Sequence, residues 1–119
     1  MIYAGESFAI AVLEKLVHLP IRRLPRNEVF GSIEIPDALA EAIDAVAVPG
    51  WDADDMAASR AFGDAWYDAA RSCALLVPSV VTRIDRNVLI NQTHPDFRRL
   101  APSPARRMVW DRRLFGRRA

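Results

Sequence analysis

Three short apolar runs between residues 74 and 90 constrain the fold of this chain most. They cover residues 74–77, 80–84 and 88–90, and Pro78-Ser79 and a charged turn separate them. Runs of this length between turn residues predict β-strands rather than helices. Ser79 follows the first run and Asn91 follows the third. Small polar groups at the ends of buried strands can direct hydrogen bonds at a ligand, so we expect a binding site there.

Helices are predicted on the N-terminal side of these runs. Ser7 is a good N-cap for an apolar stretch that ends at Pro20, which predicts a mostly buried helix of about a dozen residues. Residues 55–72 predict a second helix, in which Gly63 allows another element to approach closely. The order of elements indicates an α+β fold. The remaining predictions are a partial strand at 29–35, a short helix from 37 to 42 or 43, a helical turn at 95–100 and a strand at 108–110.

Length and composition limit the chain to one soluble globular domain. Its 119 residues, 51% hydrophobic and 26% charged, predict a single domain over 1–119, with 101–119 as an arginine-rich C-terminal segment. No apolar run approaches the roughly 20 residues of a membrane helix. Charges at Glu6 and Glu14 argue against a signal peptide, so we expect a cytoplasmic location. Cys73 is the single cysteine, which excludes an internal disulfide and predicts a small buried side chain. We expect no metal site.

Charge is distributed unevenly along the chain. Residues 1–60 hold 5 basic and 10 acidic residues, and residues 61–119 hold 11 basic and 5 acidic ones, so a net −5 half precedes a net +6 half. Eight arginines in four pairs follow Phe97. They could contact phosphate or an acidic partner, but a solvated face is the preferred interpretation. Because few aromatic residues lie among them, we do not expect direct nucleic-acid binding.

A series of motifs in fixed order resembles the RES-domain family, named for an arginine, a glutamate and a serine. The resemblance covers nearly the whole chain. It is carried by Tyr3-Ala4-Gly5-Glu6-Ser7-x-Ala9-x-Ala11-x-Leu13-Glu14 with Val17-His18-Leu19 after it, Phe62-Gly63-Asp64-x-Trp66, Val77-Pro78-Ser79-Val80-Val81, Asn87-x-Leu89-x-Asn91, His94-Pro95-x-Phe97 and Trp110-Asp111-x-Arg113-Leu114.

The resemblance implies both a fold and a function. Members are toxins of bacterial toxin–antitoxin pairs, and their fold, a small mixed sheet with flanking helices, is similar to that of ADP-ribosyltransferase toxins. They deplete NAD⁺ by cleaving the nicotinamide–ribose bond through phosphorolysis or hydrolysis. NAD⁺ is then the substrate, phosphate a candidate co-substrate, and no cofactor is needed. The implied partner is an antitoxin with an Xre-like helix-turn-helix region. The expected assembly is a toxin–antitoxin complex or a homo-oligomer of this chain.

The resemblance also assigns four site residues. Glu14 matches the family glutamate and Ser79 the family serine, both as catalytic residues. Tyr3 matches an aromatic residue near the nicotinamide end of the pocket, and Asn91 falls in a motif that helps to shape the NAD⁺ cleft. Each of three residues also has a purely structural interpretation. Glu14 would then be a solvent-exposed helical glutamate, Ser79 a serine in a turn, and Tyr3 a core tyrosine at the end of a strand.

One expected element has no counterpart here. The family arginine belongs to a Gly-Gly-Arg-Trp-Asn-like segment upstream of the strand that ends at Tyr3, and no basic residue of this chain matches it. We therefore expect the chain to correspond to an N-terminally shortened RES domain. Two functions stay open: an NAD⁺-depleting toxin, and a truncated, catalytically inactive remnant that retains only antitoxin binding.

Overall fold

The computed structural model describes residues 1–19 and 25–115. These residues form an α+β arrangement of two α-helices and eight short strands. The helices are α1 (Phe8–Val17) and α2 (Ala57–Ala69). The strands are β1 (Ile2–Gly5), β2 (Val29–Phe30), β3 (Ile33–Glu34), β4 (Ala40–Ala42), β5 (Ala74–Pro78), β6 (Arg86–Ile90), β7 (Ala101–Pro102) and β8 (Arg106–Arg107).

A four-stranded mixed sheet organises the described residues. Its strand order is β1-β6-β5-β4, with β6 antiparallel to both β1 and β5, and with β4 parallel to β5. The register places Gly5 of β1 and Val77 of β5 on either side of Asn87 in β6. Two separate ribbons pair β2 with β8 and β3 with β7. The predicted fold class is confirmed.

The hydrophobic core lies on one face of this sheet. Ala74 on β5 and Val88 and Ile90 on β6 are buried on that face. They pack with Leu39 and Leu100 from the connecting segments. The opposite face carries Leu75 and Leu89, because side chains alternate between the faces of a strand.

Helix α2 covers the opposite face. A side chain at Gly63 would lie 3.9 Å from Leu89 Cδ1, so α2 packs over the middle of β6. Trp66 is buried, and its Nε1 donates to Ser72 Oγ at 2.8 Å. The predicted helix at 55–72 is confirmed, although it is shorter at both ends.

Helix α1 begins as predicted, with Ile10 N–H donating to the Ser7 side chain at 3.3 Å. The prediction that α1 is mostly buried is wrong. Ile10 is its buried residue, whereas Phe8 and Val17 are more than half exposed. The reason is that α1 packs against β1, which is an edge strand of the sheet. The strand covers one side of the helix and leaves the other side exposed. The predicted end at Pro20 lies outside the described residues.

The predicted strand at 80–84 is wrong, because Ser79 folds this segment into a turn. The Ser79 hydroxyl accepts hydrogen bonds from the amides of Val81 and Thr82, at 3.1 and 3.3 Å. The Ser79 carbonyl accepts one from Arg83 N–H at 2.9 Å. Local side-chain bonds of this kind compete with strand pairing. Strand β6 therefore starts at Arg86.

Other differences follow from long-range pairing. The segment predicted to be helical after Asp37 is one 3₁₀ turn (Asp37–Leu39), after which β4 pairs with β5. The segment 29–35 divides into β2 and β3, and the last predicted strand lies at Arg106–Arg107 rather than at 108–110, because β2 pairs there. The helical turn after His94 is confirmed. None of the helices in residues 1–19 and 25–115 is long and apolar enough to cross a membrane.

Candidate functional site

Three polar side chains from distant parts of the chain meet at the end of the sheet. Ser79 Oγ donates a hydrogen bond to Glu14 Oε1 at 2.8 Å. Asn87 Nδ2 donates to the same oxygen at 3.0 Å. We call Glu14, Ser79 and Asn87 the carboxylate cluster. The structure thus brings together the two residues that sequence analysis assigned as catalytic.

The local fold explains why these side chains converge. Glu14 follows Ile10 by one helical turn, so the buried face of α1 also carries the carboxylate. Ser79 comes directly after β5, where the turn begins. Asn87 lies opposite Val77 in the β5–β6 ladder, beside that turn. One helix face and two neighbouring strand ends therefore place all three groups.

The geometry of Ser79 suits it to orient the Glu14 carboxylate, and its predicted catalytic role stays a prediction. No part of Ser79 is exposed to solvent, and its oxygen accepts two backbone amides while its hydrogen points at Glu14. A hydroxyl enclosed in this way has no path to an electrophile. It can, however, hold the carboxylate in one orientation.

The second oxygen of Glu14 is the group that remains for a ligand. Within residues 1–19 and 25–115, both hydrogen bonds to the Glu14 carboxylate go to Oε1. Glu14 is half-buried, so it is partly open to solvent. Asn87 Oδ1 is enclosed and has no hydrogen-bond partner among the described residues. A buried polar atom without a partner is costly, and such atoms are often found at functional sites.

Tyr3 lies on the same face of the sheet as the cluster. It is directly opposite Leu89 in the β1–β6 ladder, two residues along from Asn87, so roughly 7–8 Å separate the two positions. Its side chain is 76% exposed. The alternative of a core tyrosine is therefore wrong, and the ring is available for stacking.

The structure does not bring Asn91 into the cluster. Asn91 is fully buried, and its Nδ2 donates to the carbonyl of Tyr67 at 3.0 Å. Its Oδ1 accepts from the amide and hydroxyl of Thr93. It joins the end of α2 to the turn after β6, and its role in binding NAD⁺ stays a prediction.

Asn87 is not among the site residues predicted from the sequence. The signal was present in Asn87-x-Leu89-x-Asn91, because alternation places these three residues on one face of a strand. The pairing of β5 with β6 decides which asparagine lies beside Ser79, and that pairing depends on the turn between the strands.

A recess of about 840 Å³ opens mainly on the core side of β1. Tyr3 contributes to its wall, but the carboxylate cluster does not. Two acidic residues of its lining are already paired, Glu28 with Lys15 at 3.2 Å and Glu6 with Arg86 at 2.6 Å. The cluster offers a half-buried carboxylate held by two donors, so we place the candidate site there rather than in the recess.

Comparison with known proteins identifies the family. The family model described as "RES domain" matches residues 1–111. The chain belongs to the RES-domain family. This agrees with the ordered motifs. The two residues that the resemblance assigned as the family glutamate and serine, Glu14 and Ser79, form the 2.8 Å hydrogen bond.

Curated RES-domain relatives carry toxin names. The chain is 38% identical to the "Prs ADP-ribosylating toxin" of Sphingobium sp. (strain YBL2), over 97% of this chain and 74% of the relative. It is 31% identical to a "Toxin Res" of Photorhabdus laumondii subsp. laumondii and 33% identical to one of Yersinia enterocolitica. Each of these alignments covers 81% of this chain but only 63% and 64% of the respective relative, so the chain spans just under two thirds of both.

Proposed function

We propose that this RES domain is a toxin that depletes NAD⁺ by breaking the bond between nicotinamide and ribose. The observation that carries the proposal is the Glu14 carboxylate, held on one oxygen by Ser79 and Asn87. The exposed Tyr3 ring on the same face of the sheet supports it. The toxin names of the relatives support the biological role.

The reaction requires a negative charge close to the ribose. As the glycosidic bond breaks, its electron pair leaves with nicotinamide, which departs neutral and needs no proton. The ribose carbon becomes positively charged, and a fixed carboxylate stabilises such a transition state. Glu14 Oε2 would accept a hydrogen bond from the ribose 2′-hydroxyl, while Oε1 stays bound to Ser79 and Asn87. Because the carboxylate is already oriented, little reorganisation is needed.

Tyr3 would bind the nicotinamide ring of NAD⁺. Its exposed ring offers a flat apolar surface on which the nicotinamide ring can stack. Stacking at Tyr3 and hydrogen bonding at Glu14 would keep the glycosidic bond between the two residues.

The attacking group decides the product. Water gives ADP-ribose, nicotinamide and a proton, whereas phosphate gives ADP-ribose phosphorylated at the anomeric carbon and nicotinamide. A protein side chain would take the ADP-ribosyl group and lose a proton. The last reaction is a second candidate, because the relative with 38% identity is named an ADP-ribosylating toxin. We further propose that the toxin pairs with an Xre-like antitoxin, which is consistent with the toxin names of the relatives.

Product analysis tests the proposal and separates its variants. Purified chain is incubated with NAD⁺ in phosphate buffer, in phosphate-free buffer, and with a cell extract as a source of protein acceptors. We expect nicotinamide release that Glu14→Ala strongly reduces but leaves measurable, and chromatography with mass spectrometry identifies ADP-ribose, its phosphate or modified protein. If the folded chain releases no nicotinamide under any of the three conditions, the catalytic proposal is wrong. The inactive remnant that only binds an antitoxin would then be the better account.

A further inference from the structure

The backbone of Arg83 lies beside the carboxylate cluster. Its amide donates to the Ser79 carbonyl at 2.9 Å, so its backbone lies one hydrogen bond away from the cluster. Its φ of +62° is in the left-handed region, which is uncommon for a residue with a side chain. Strained residues of this kind persist where the surrounding structure holds them, often at functional sites.

The side chain of Arg83 lies on the same face of the sheet as the cluster. Helix α2 runs along β6 in the same direction as the strand. Its last turn contacts Asn91 through Tyr67, and its middle lies over Leu89 at Gly63. The first turn of α2 is therefore near the Asn87 end of β6. The segment just before α2 is therefore at that end too. Arg83 reaches this segment.

Two contacts hold the guanidinium in place. Arg83 Nη1 donates to Asp52 Oδ2 at 2.7 Å, and the guanidinium carbon lies 5.8 Å from the centre of the Trp51 ring. Ser59 of α2 fixes Trp51 by donating to its carbonyl. The hydrogen bond from Arg83 also holds the pKa of Asp52 below its ordinary value.

Arg83 keeps the capacity to bind a second anion. Its side chain is 58% exposed, and the hydrogen bond to Asp52 uses one of its five donors. An exposed ion pair contributes little net free energy, so exchanging Asp52 for a stronger anion costs little. Lys15 and Arg86, which adjoin Glu14 and Asn87 in sequence, are also ion-paired, but their partners Glu28 and Glu6 line the recess rather than the segment before α2.

We propose that Arg83 binds the diphosphate of the NAD⁺ whose nicotinamide ribose lies at Glu14. This inference rests on the proposed function. A guanidinium suits phosphate oxygens because its donors form a planar fork. In NAD⁺ the diphosphate is bonded directly to the nicotinamide ribose. In the protein, Arg83 lies in the turn that begins at Ser79, which binds Glu14. A ribose at Glu14 would therefore have its diphosphate near this turn. Arg83 therefore acts as a specificity residue for dinucleotides over nucleosides.

Kinetics of Arg83→Ala test this assignment. Arg71→Ala is the matched control, because Arg71 is 55% exposed and is likewise paired with one carboxylate, that of Glu41. We expect Arg83→Ala to raise KM for NAD⁺ roughly tenfold to a hundredfold with little change in kcat, as for the loss of a charge-assisted hydrogen bond. Arg71→Ala should leave both constants unchanged. An equal effect of the two substitutions would overturn the proposal.

A binding measurement separates this proposal from the catalytic one. ADP-ribose, which contains the diphosphate, and nicotinamide riboside, which lacks it, are titrated into wild type and Arg83→Ala by calorimetry. We expect the substitution to lower the affinity for ADP-ribose and to leave the affinity for nicotinamide riboside unchanged. Three results would overturn the role of Arg83. They are unchanged binding of ADP-ribose to the variant, an equal loss of affinity for both ligands, and no binding of ADP-ribose to the wild type. Selective weakening without nicotinamide release would instead refute only the catalytic proposal.

Discussion

Glu14 receives both of its described hydrogen bonds on the same carboxylate oxygen. Ser79 and Asn87 supply them, one from a buried hydroxyl and one from an amide whose own oxygen is enclosed without a partner. A side chain in this arrangement has a fixed direction, and its other oxygen receives no hydrogen bond from the described residues. The two donors also connect α1 to the ends of β5 and β6, so the cluster has a structural as well as a chemical role.

Asn87 should affect nicotinamide release only by orienting the Glu14 carboxylate. We expect Asn87→Ala to lower kcat for nicotinamide release roughly tenfold with a smaller change in KM, because one donor that orients the carboxylate is lost. In a Glu14→Ala background the same substitution should have no further effect on kcat. Steady-state kinetics of the two single variants and the double variant measure this coupling. Multiplicative losses in the double variant would show that Asn87 acts independently of Glu14.

Cys73 should be unreactive in the folded chain. The thiol is 1% exposed, and burial, followed by the charge of Asp96, raises its pKa. A raised pKa keeps the thiol protonated at pH 8, where a free cysteine is partly thiolate. We expect slow reaction with a disulfide reagent under native conditions and fast reaction in urea. Fast native labelling would contradict the described packing.

The helices and central strands could be predicted from sequence because their signals are local. The Ser7 cap, the apolar spacing of 57–69 and the runs that became β5 and β6 agree with the structure. The segment 80–84 could not be predicted in this way, because the Ser79 hydroxyl bonds to the amides that follow it. The family resemblance identified Glu14 and Ser79, whereas Asn87 and Arg83 required the register of β6 and the turn before it.

The contact between α1 and β1 should be sensitive to one methyl group. A Cβ at Gly5 would lie 2.7 Å from Ala11 N, a backbone atom that cannot move without the helix. We expect Gly5→Ala to lower the free energy of unfolding by about 1–3 kcal/mol and to reduce nicotinamide release, because α1 carries Glu14. Urea denaturation and the activity assay measure both effects.

Gly63→Ala is the control for Gly5→Ala. Its new Cβ would meet Leu89 Cδ1 at 3.9 Å, an ordinary contact. Alanine within a helix is more stable than glycine by about 0.5–1 kcal/mol, so we expect a small gain in the free energy of unfolding. Destabilisation by Gly63→Ala as large as that by Gly5→Ala would contradict the packing described for α1 and α2.

The described residues form a more open structure than is typical of a domain of this length. Its radius of gyration is 15.7 Å, whereas about 13.5 Å is expected for a compact domain of this size. Its described buried core is small, and large apolar side chains such as Phe8 and Val29 are exposed. The candidate site lies where α1 meets the sheet, and the Arg83 side chain links the turn after Ser79 to the segment before α2. A ligand bound by Glu14 and Arg83 would join these parts of the fold.

Ligand binding should therefore stabilise the whole fold. At a concentration about one hundred times its Kd, ADP-ribose should add roughly 2.7 kcal/mol to the free energy of unfolding and raise Tm by roughly 10 °C. Differential scanning fluorimetry measures the shift, and Arg83→Ala at the same ligand concentration should show a smaller one. No shift for the wild type would contradict a nucleotide site at this junction.

The charge of Glu14 is the central requirement, and one comparison tests it most directly. Glu14→Gln keeps an oxygen that Ser79 and Asn87 can still bind, so it removes the charge with little change in geometry. Glu41→Gln is the matched control, because Glu41 is also a half-buried glutamate but lies on the edge strand β4. The measurement is kcat for nicotinamide release from NAD⁺. We predict a loss of roughly a hundredfold or more for Glu14→Gln and a value close to wild type for Glu41→Gln. Equal rates for wild type and Glu14→Gln would contradict the account.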